Sequence, residues 1–474
     1  MIFRELSYIE PAEAAERLRS CPGFAFLDSG GSEEDPGRNS FIGVSPFASF
    51  RIAEGAAFWN GERLPGNPLE QFKRRLSAFR IDRIADGPVL QSGCIGHISY
   101  DLGQLLERLD HPAPAHPPVA DLHFQFHDLI YAFDRKARRL WLFSSGLPET
   151  APQAQASRAE ARLQQGLDWL DNPSAPAETL VPILDWRSNF DADTYEAAVE
   201  SVKEHIRNGD IYQANISQRF QASLPPDFSA WALYQRLRAI NPAPFAAYLK
   251  DGDTTILSSS PERFLSLRDG TVEARPIKGT IGRSANPEQD RALAETLSGS
   301  EKDRAENIMI VDLLRNDLSR VCKPGTVEVP VLCGLETYAS VHHLTSVVRG
   351  QLQTGLDAVD LIAACFPGGS ITGAPKVSAM NIITGLEGHA RGIYCGAIGY
   401  IGFDGDMDLN IAIRTATSGD GIAVFQAGGG VTLLSDGAAE YAETLTKAQR
   451  IFDAFSGPGP DDRAQNIGAV VQCC

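Results

Sequence analysis

Short runs of alternating apolar and polar residues, separated by glycine or proline turns, recur along most of this chain. The segment "RFLSLRDGTVEARPIKGT" (263–280) is typical, because two such runs flank an Asp-Gly pair, the signature of an antiparallel hairpin. Helical patterns occur in blocks between these runs instead of following every strand. The pattern therefore predicts an α+β fold and disfavours a doubly wound parallel sheet.

Four segments carry the periodicity of helices and help to divide the chain; they cover residues 148–172, 191–208, 301–320 and 438–455. The second begins at an aspartate and ends at an Asn-Gly pair, as capping preferences require. We predict four regions on this basis. They are an N-terminal region (1–172), a linker (173–190) that contains "PSAPAETLVP", a catalytic region (191–456) and a flexible tail (457–474).

The composition excludes several classes of function. Of 474 residues, 43% are hydrophobic and 22% charged, and the net charge of -17 disfavours a nucleic acid partner. No run approaches the roughly 20 apolar residues that cross a bilayer, and the charged start is unlike a signal peptide. Eight cysteines without a CxxC pair argue against zinc and against disulfides. We expect a cytoplasmic protein with reduced thiols, and we interpret Cys473-Cys474 as part of the loose tail.

Two pairs of carboxylates lie three residues apart, each near the start of a predicted helix. Asp303 and Glu306 share one face of the first helix, and Glu440 and Glu443 share one face of the second. Each pair alone is compatible with helix-dipole chemistry on a solvated face, and Lys447 with an ordinary ion pair to Glu443. Two pairs at matched spacing suggest carboxylates that converge on one hard cation, and Mg²⁺ suits such a site.

Glycine-rich turns supply candidate anion-binding amides. "FQAGGGV" (425–431) places three glycines directly after a strand, and "PGGSITGAPK" (367–376) is a second such turn, which carries Thr372. No P-loop or GxGxxG motif occurs, so a nucleotide site is poorly supported. Arg414 lies in an apolar strand and requires a carboxylate, from a structural ion pair or from a ligand.

Lys278 lies where the second run of the hairpin meets a Gly-Thr pair. The local pattern predicts that the strand stops there and that the backbone tightens at Gly279. A lysine in such a place is usually an ordinary solvated loop residue. Its role therefore depends on what the other motifs place around it.

These motifs together resemble the chorismate-using enzymes, a family that includes anthranilate synthase component I, aminodeoxychorismate synthase component I, and the isochorismate and salicylate synthases. The resemblance is specific from about residue 190 to 455, through "GDIYQANISQRF", "SSSPERF", "RPIKGT", "VHHLTS", "NIAIRT" and "EYAETLTKA". It is weaker but present earlier, in "LDSG", "RNSFIGVSP" and "GHISYDLG". It implies an α+β fold whose two sub-domains pack their sheets into a central β-sandwich with helices outside.

Two positions indicate which branch of the family the chain resembles. Lysine at position 278 marks aminodeoxychorismate synthases, where anthranilate and isochorismate synthases carry alanine. Gln213 matches the position at which water-using relatives carry a lysine base, so its identity fits ammonia as nucleophile. The resemblance implies amination of chorismate at C4, with Lys278 forming a covalent intermediate and Glu262 acting as general acid. The alternatives are anthranilate synthase component I, which aminates C2, and a non-catalytic subunit.

The resemblance also implies roles for further residues. Mg²⁺ would be bound by Glu306 and Glu443, with Asp303 and Glu440 in the outer shell. The residues that match holders of the enolpyruvyl carboxylate are Tyr400, Arg414, Gly429, Gly430 and Lys447. The residues that match positions around the ring are Gly279, Thr280, His343 and Thr372, and Gln213 is grouped with them as substrate-binding.

Two expectations concern other molecules. Component I enzymes receive ammonia from a separate glutamine amidotransferase subunit, so the resemblance implies such a partner or the use of free ammonia. In relatives a tryptophan pocket lies between the early strands and a Pro-aromatic loop, and the sequence leaves open whether tryptophan binds here. The matching residues are Ser29, Arg38, Asn39, Ser40, Phe41, Pro244, Phe245 and Ala246.

Overall fold

The computed structural model describes residues 1–30, 37–172, 183–338 and 341–455. Its strands are β1 (Ile2–Leu6), β2 (Ala25–Asp28), β3 (Asn39–Gly43), β4 (Ala48–Ala53), β5 (Ala56–Trp59), β6 (Glu62–Leu64), β7 (Gly93–Ile98), β8 (Leu122–His127), β9 (Leu129–Asp134), β10 (Arg139–Ser144), β11 (Arg187–Ser188), β12 (Gln213–Ser223), β13 (Phe245–Asp251), β14 (Thr254–Ser260), β15 (Arg263–Arg268), β16 (Thr271–Ala274), β17 (Ile277–Gly282), β18 (Glu328–Thr337), β19 (Val341–Gln351), β20 (Gly373–Ala374), β21 (Ala397–Gly402), β22 (Met407–Asn410), β23 (Thr415–Gly419) and β24 (Ile422–Val431).

The α-helices are α1 (Pro11–Leu18), α2 (Pro68–Ser77), α3 (Gly103–Leu106), α4 (Pro152–Asp171), α5 (Ala192–Arg207), α6 (Ala230–Ile240), α7 (Pro287–Ser298), α8 (Glu301–Ser319), α9 (Ala358–Cys365), α10 (Lys376–Glu387) and α11 (Gly437–Phe455). The four predicted helices correspond to α4, α5, α8 and α11. Helix α5 begins as expected, because the side chain of Asp191 accepts a hydrogen bond from the backbone N–H of Thr194. Within the described ranges, no helix is both long and apolar enough to cross a membrane.

The strands form two large antiparallel sheets. The first has the order β1-β10-β9-β3-β2-β13-β14-β23-β24-β12-β11, and β20 pairs with β12. The second has the order β17-β19-β16-β15-β22-β21-β7-β8-β4-β5-β6, and β18 pairs with β19. Apolar residues of the two sheets pack against each other, among them Phe41 and Ile256 from the first and Ile95 and Ile398 from the second. The predicted α+β fold with a central β-sandwich is confirmed.

Helices cover the outer faces of this sandwich. Buried residues of α6 and α11 pack on the first sheet together with Phe220 and Phe425. Buried residues of α8 and α9 pack on the second sheet together with Leu265 and Val348. Sequence-distant strands therefore share one core, and the helices α8 and α11 are fixed rigidly enough to aim side chains at a common point.

The predicted division into regions stays a prediction, although the strand pairing bears on it. Each sheet contains strands from both sides of the predicted linker, through the pairs β2–β13 and β7–β21. Residues 173–182 of the linker and the tail 457–474 lie outside the described residues. The remainder of the linker is anchored, because β11 pairs with β12 and Trp186 contacts the rings of Phe425, Phe452 and Phe455.

The Asp-Gly hairpin is present, but the strand after it does not stop at Lys278. Asp269 and Gly270 have φ values of 49° and 78° and connect β15 to β16. The next strand, β17, continues through Lys278 to Gly282, with a register shift against β19 between Ile277 and Thr280. Gly279 has a φ of 82°, which only glycine adopts readily. The expected tightening at Gly279 is therefore a bulge within a strand, and it re-aims the Lys278 side chain.

Phe126 on β8 is a test of this core, because it is fully buried among Phe47, Trp59, Phe79 and Phe403. Phe126→Ala is expected to lower the free energy of unfolding by about 3–5 kcal/mol, since it removes buried apolar surface and leaves a cavity. Urea unfolding followed by circular dichroism measures the change. The matched control is Ile183→Ala at a side chain that is 73% exposed, which is expected to change stability by less than about 0.5 kcal/mol. Equal effects of the two substitutions would contradict the assigned packing.

Candidate active site

Lys278 and Glu262 meet beneath the glycine-rich turn that follows α9. The Nζ of Lys278 donates a hydrogen bond to the backbone oxygen of Ser370 at 3.0 Å. The hydroxyl of the same serine donates to Oε1 of Glu262 at 3.2 Å, and the backbone N–H of Ile277 lies 3.5 Å from that oxygen. Ser370 therefore holds the amine and the carboxyl in one fixed arrangement. Because it acts partly through its backbone oxygen, its position carries no sequence signature, and sequence analysis missed it.

Burial moves the proton affinities of these two groups in opposite directions. It raises the pKa of Glu262 to about 7, although the nearby Lys278 opposes the change. Burial also lowers the pKa of Lys278, and Glu306, Glu262 and Glu443 oppose this change while Lys447 adds to it. A carboxyl that keeps its proton near neutral pH thus lies beside an amine that releases its proton more readily than an ordinary lysine. Such a pair suits a general acid next to a nucleophile.

Carboxylates from α8 and α11 converge on the same region. Burial raises the pKa of Glu306, and the charges of Asp303 and Glu440 raise it further. Burial acts in the same direction on Glu443, but Lys447, whose Nζ lies 2.7 Å from its Oε1, together with Lys302 and Lys278 outweighs burial and lowers the pKa of Glu443. The charge of Glu440 acts on Glu306, so the two helices share one electrostatic region, although no three of these carboxylates in the described ranges place donor atoms within 4.8 Å of one another. Their convergence on one cation stays a prediction.

Lysines partly balance this acidic cluster. Lys302 lies 3.8 Å from Glu440, whose Oε1 also accepts a hydrogen bond from the hydroxyl of Ser435 at 2.7 Å. Lys447 donates to the backbone oxygen of Gly428 at 2.9 Å in addition to its contact with Glu443. Lys302 was not among the predicted site residues, because its position in the sequence of α8 is typical of an ordinary solvated lysine.

The three glycines of "FQAGGGV" lie inside β24, so the predicted turn after the strand is wrong, while the anion-binding role of their amides stays a prediction. They pair with β12 from Ser217 to Asn215. Their role is steric: a Cβ on Gly429 would lie 2.9 Å from Oε2 of Glu440 and 3.7 Å from Oε1 of Glu443. A Cβ on Gly430 would collide with the side-chain amide of Gln213. Glycine is required where the carboxylates approach the sheet.

Several residues expected around the ring lie in this region. The hydroxyl of Thr280 is 2.7 Å from Nδ1 of His343, and burial lowers the pKa of His343 to about 4, so its ring is neutral at pH 7. Gly279 faces α8, because a Cβ there would lie 3.0 Å from the Cβ of Asp303. Thr372 is buried next to the turn that holds Ser370, and its hydroxyl donates to the backbone oxygen of Gly368.

Two polar groups near the region, buried Gln213 and partly buried Arg414, have unsatisfied atoms or charge among the described residues. The Oε1 of Gln213 is buried and accepts no hydrogen bond from any described residue. Arg414 lies in a bend before β23, with a φ of 52°, and not in the strand that was predicted. Burial lowers its pKa, its charge also influences His343, and no ion pair joins it to a carboxylate in the described ranges. A partly buried guanidinium without a carboxylate in the described chain is suited to bind one from a ligand.

Tyr400 does not join this group, and its predicted role in holding the enolpyruvyl carboxylate is corrected. Side chains alternate along β21, so Tyr400 points between the sheets, where its ring lies 5.5 Å from that of Phe41. It lines a separate cavity of about 530 Å³. Residues predicted for the tryptophan pocket line that cavity too, and they are Ser29, Arg38, Asn39, Phe41, Pro244, Phe245 and Ala246. Ser40 is buried behind it, and its hydroxyl accepts from the N–H of Ser29.

A buried ion pair between Arg391 and Glu387 lies next to the turn that carries Ser370, and the sequence analysis did not predict it. Arg391 donates to Glu387 and to the backbone oxygens of Ile371 and Asn215. It thereby ties β12 to the turn that carries Ser370 and Thr372. Arg275, three residues before Lys278, donates to Glu336. Among the described residues the cation that lowers the pKa of Lys278 is Lys447.

The sequence profile of the chorismate binding enzymes matches residues 24–453, which cover most of the chain. The chain belongs to this family. Aminodeoxychorismate synthase component 1 of Klebsiella aerogenes is 43% identical over 361 residues, which are 76% of each chain. Anthranilate synthase component 1 of Bacillus caldotenax is 37% identical over 467 residues, with 94% of this chain and 91% of the relative covered.

Solved structures of family members share this architecture. Anthranilate synthase component I from Streptococcus pneumoniae superposes with a TM-score of 0.79 at 33% identity, over 89% of this chain and 93% of that one. The menaquinone-specific isochorismate synthase of Escherichia coli superposes with a TM-score of 0.70 over 96% and 94% of the two chains, and at 18% identity this likeness concerns the fold alone. The sandwich of this chain is therefore the family fold.

The hydrogen bond from Ser370 to Glu262 generates a prediction. Ser370→Ala removes a donor that favours the ionised carboxylate, so the pKa of Glu262 is expected to rise further, by about half a pH unit to one unit. Infrared difference titration follows the protonated carboxyl band that is missing in Glu262→Gln. The matched control is Ser319→Ala, whose exposed hydroxyl bonds only to Asn316, and it is expected to leave the titration unchanged. A lowered or unaltered pKa in Ser370→Ala would contradict the arrangement.

Proposed function

We propose that this chain aminates chorismate at C4 to give 4-amino-4-deoxychorismate, as its aminodeoxychorismate synthase relatives are named for doing. The observation that carries the proposal is the contact of Lys278 and Glu262 through Ser370, with pKa values shifted in opposite directions. A lysine at this position is the feature that the resemblance associates with C4 amination. Two aminodeoxychorismate synthase relatives are 43% and 41% identical to this chain over 76% and 82% of their own lengths, which supports the same branch.

The first step forms a bond from Nζ of Lys278 to C2 of the ring. Both ring double bonds shift, the C4–O bond breaks, and the hydroxyl leaves as water with the proton of Glu262. The attack requires a neutral amine, and an ordinary lysine with a pKa near 10.4 is neutral in only about a few molecules per ten thousand at pH 7. The lowered pKa of Lys278 increases that fraction, and the raised pKa of Glu262 keeps its proton available.

The second step adds ammonia at C4. The double bonds shift back, Lys278 leaves C2 as a neutral amine, and the new ammonium group returns one proton to the Glu262 carboxylate. Hydroxyl is thereby replaced by an amine, and the net reaction is chorismate plus ammonia to product plus water. Gln213, with its unpartnered Oε1, lies beside Gly430 and offers an acceptor to an N–H donor. An amide does not deprotonate water, which fits ammonia as the nucleophile.

The substrate carries two carboxylates, and the chain offers cationic groups for both ends. Arg414 is a partly buried guanidinium with no carboxylate partner in the described part of the chain, and it is the candidate for the enolpyruvyl carboxylate. Lys447 lies beside Gly428 and Gly429 on the same side of the site. These contacts orient the ring so that C2 faces Lys278 and the C4 oxygen faces Glu262.

The acidic cluster of α8 and α11 fits a magnesium ion. The fit rests on the oxygens of Glu440 and Glu443 beside Gly429, which are the hard donors that Mg²⁺ prefers, and on Glu306, whose pKa the charge of Glu440 raises. Glu306 and Glu443 would hold the ion, with Asp303 and Glu440 behind them. When bound, the ion supplies positive charge that neutralises and orients the ring carboxylate.

We also propose a glutamine amidotransferase partner that supplies ammonia, in keeping with the name "component 1" of the relatives. The described chain offers no residue set that we assign to glutamine hydrolysis.

A cytoplasmic location remains our expectation from the sequence. The tryptophan pocket stays a proposal for the cavity that contains Tyr400 and Arg38.

The product decides the function. Purified chain with chorismate, ammonium and Mg²⁺ is expected to release 4-amino-4-deoxychorismate, identified by mass spectrometry. Lys278→Ala is expected to lose at least about 1,000-fold in turnover, because the covalent step has no other nucleophile. Lys250→Ala, an exposed lysine at the surface end of β13, is the matched control and is expected to keep full activity.

Three outcomes would contradict the proposal in whole or in part. Fluorescent anthranilate as the product would favour the alternative, anthranilate synthase component I. Unchanged turnover of Lys278→Ala would remove the covalent step, even if the product were as expected. Failure of the isolated chain to consume chorismate with ammonium present would favour a non-catalytic subunit.

Magnesium binding generates a separate prediction. Glu306→Gln removes one anionic oxygen donor, so Mg²⁺ affinity in the presence of chorismate is expected to fall by about tenfold or more. Isothermal titration calorimetry measures the affinity directly, without reliance on turnover. The matched control is Glu301→Gln, an exposed carboxylate in the first turn of the same helix. Equal affinity losses in the two variants would show a general charge effect and would contradict the assigned ligand.

A further inference from the structure

Three metal-ligating side chains meet between the sheets, away from the residues discussed so far. His97 on β7 and His123 on β8 are directly opposite each other in the second sheet. Asp251 ends β13 in the first sheet and reaches across the sandwich to both. Its Oδ2 lies 3.4 Å from Nε2 of His97, and its Oδ1 lies 3.0 Å from Nδ1 of His123. One donor atom from each residue falls within 4.8 Å of the others.

The hydrogen bonding of this trio is incomplete. His97 is 1% exposed, and neither of its ring nitrogens has a hydrogen-bond partner among the described residues. The Oδ1 of Asp251 is equally buried and also lacks a hydrogen bond of acceptable geometry there. Only Oδ2 is satisfied, by the backbone N–H of Ala120 at 2.7 Å. Buried polar groups are almost always satisfied in folded proteins, and here Nε2 of His97 and Oδ1 of Asp251 have only ion-pair contacts within the trio and to Arg51, which leaves donor atoms for a ligand.

We propose that His97, His123 and Asp251 bind one divalent first-row transition metal ion, with Zn²⁺ as the ion that fits best. Two imidazoles and one carboxylate are a common zinc donor set, with water in the fourth position. Bonds of about 2.0–2.1 Å in a tetrahedron place neighbouring donors roughly 3.3 Å apart. The observed separations of 3.0 and 3.4 Å, each to a different oxygen of Asp251, are close to that spacing, and the donor atoms of all three residues lie within 4.8 Å of one another.

One cation contacts the trio and would have to move away from Asp251 when a metal ion binds. The guanidinium of Arg51, on β4, lies 3.4 Å from Oδ1 of Asp251. Its side chain is 40% exposed, so it can turn outward, and its charge also acts on the nearby carboxylate of Asp121. Asp121 therefore offers a second partner when a metal ion takes Asp251. Arg51 is expected to compete with the metal and not to prevent its binding.

The trio differs from the acidic cluster of α8 and α11 in chemistry and in place. It supplies imidazole nitrogens, which suit zinc, whereas the acidic cluster supplies only carboxylate oxygens, which suit magnesium. An ion here would join β7 and β8 of one sheet to β13 of the other. Its role is to clamp the sandwich, because a closed site of protein ligands between packed elements contributes folding free energy.

The test begins with the unaltered chain, stripped with a chelator and dialysed. Titration with Zn²⁺ followed by elemental analysis is expected to leave one equivalent bound, and the midpoint of thermal unfolding is expected to rise with Zn²⁺. X-ray absorption at the zinc edge is expected to show two imidazoles in the first shell. Absence of a retained equivalent, or a shell of oxygen atoms only, would overturn the proposal without any variant having to fold.

Variants then locate the ion. His123→Gln is expected to lose the bound equivalent and the thermal shift. His205→Ala, which breaks an exposed pair with Asp210, and Glu306→Gln, in the acidic cluster, are expected to keep both. Arg51→Ala is expected to bind Zn²⁺ more tightly, because the competing cation is gone. Loss of zinc in His205→Ala or in Glu306→Gln, or retention in a folded His123→Gln, would overturn the assignment.

Discussion

The burial of one amine beside one carboxyl is the constraint on which the active region depends. Lys278 and Glu262 would form an ordinary ion pair in water, with the proton on the lysine. Inside the protein, desolvation penalises both charged forms, and each pKa moves toward neutrality. Ser370 holds both groups, through its backbone oxygen and its hydroxyl. Reactivity here is thus a consequence of where the fold removes water, and the residue types alone would not produce it.

The sandwich makes that burial possible by bringing distant segments to one edge. Glu262 follows β14 of the first sheet, Lys278 lies in β17 of the second, and the turn with Ser370 is tied to β12 through the buried pair of Arg391 and Glu387. Removing either partner of such a pair leaves an uncompensated buried charge, which costs about 3–5 kcal/mol. The pair therefore serves to fix one geometry of the turn, and the position of Ser370 depends on it.

Local sequence signals were sufficient for elements whose ends carry their own chemistry, such as the Asp191 cap of α5 and the Asp-Gly hairpin at residues 269–270. They failed where tertiary contacts decide. Three consecutive glycines indicate a turn by propensity, yet here they form part of β24. Glycine occupies position 429 because a Cβ there would crowd the carboxylates of α11. Tyr400 was misplaced because a motif match does not give the face of a strand. The trio of His97, His123 and Asp251 was invisible because its members are far apart in sequence.

Substrate charge sets a further requirement on the region. A dicarboxylate that enters beside Lys278 raises the pKa of the amine, just as Glu306 and Glu262 do in the free protein. The amine stays available only if other cations compensate for the two added charges. Lys447 already acts in this direction, and Arg414 is a second cation near the same site, with no internal carboxylate to neutralise it. A divalent ion among the carboxylates of α8 and α11 would act likewise. Under the proposed roles, the positive groups that bind the substrate would therefore also favour the unprotonated form of Lys278, so that binding and activation would share one electrostatic arrangement.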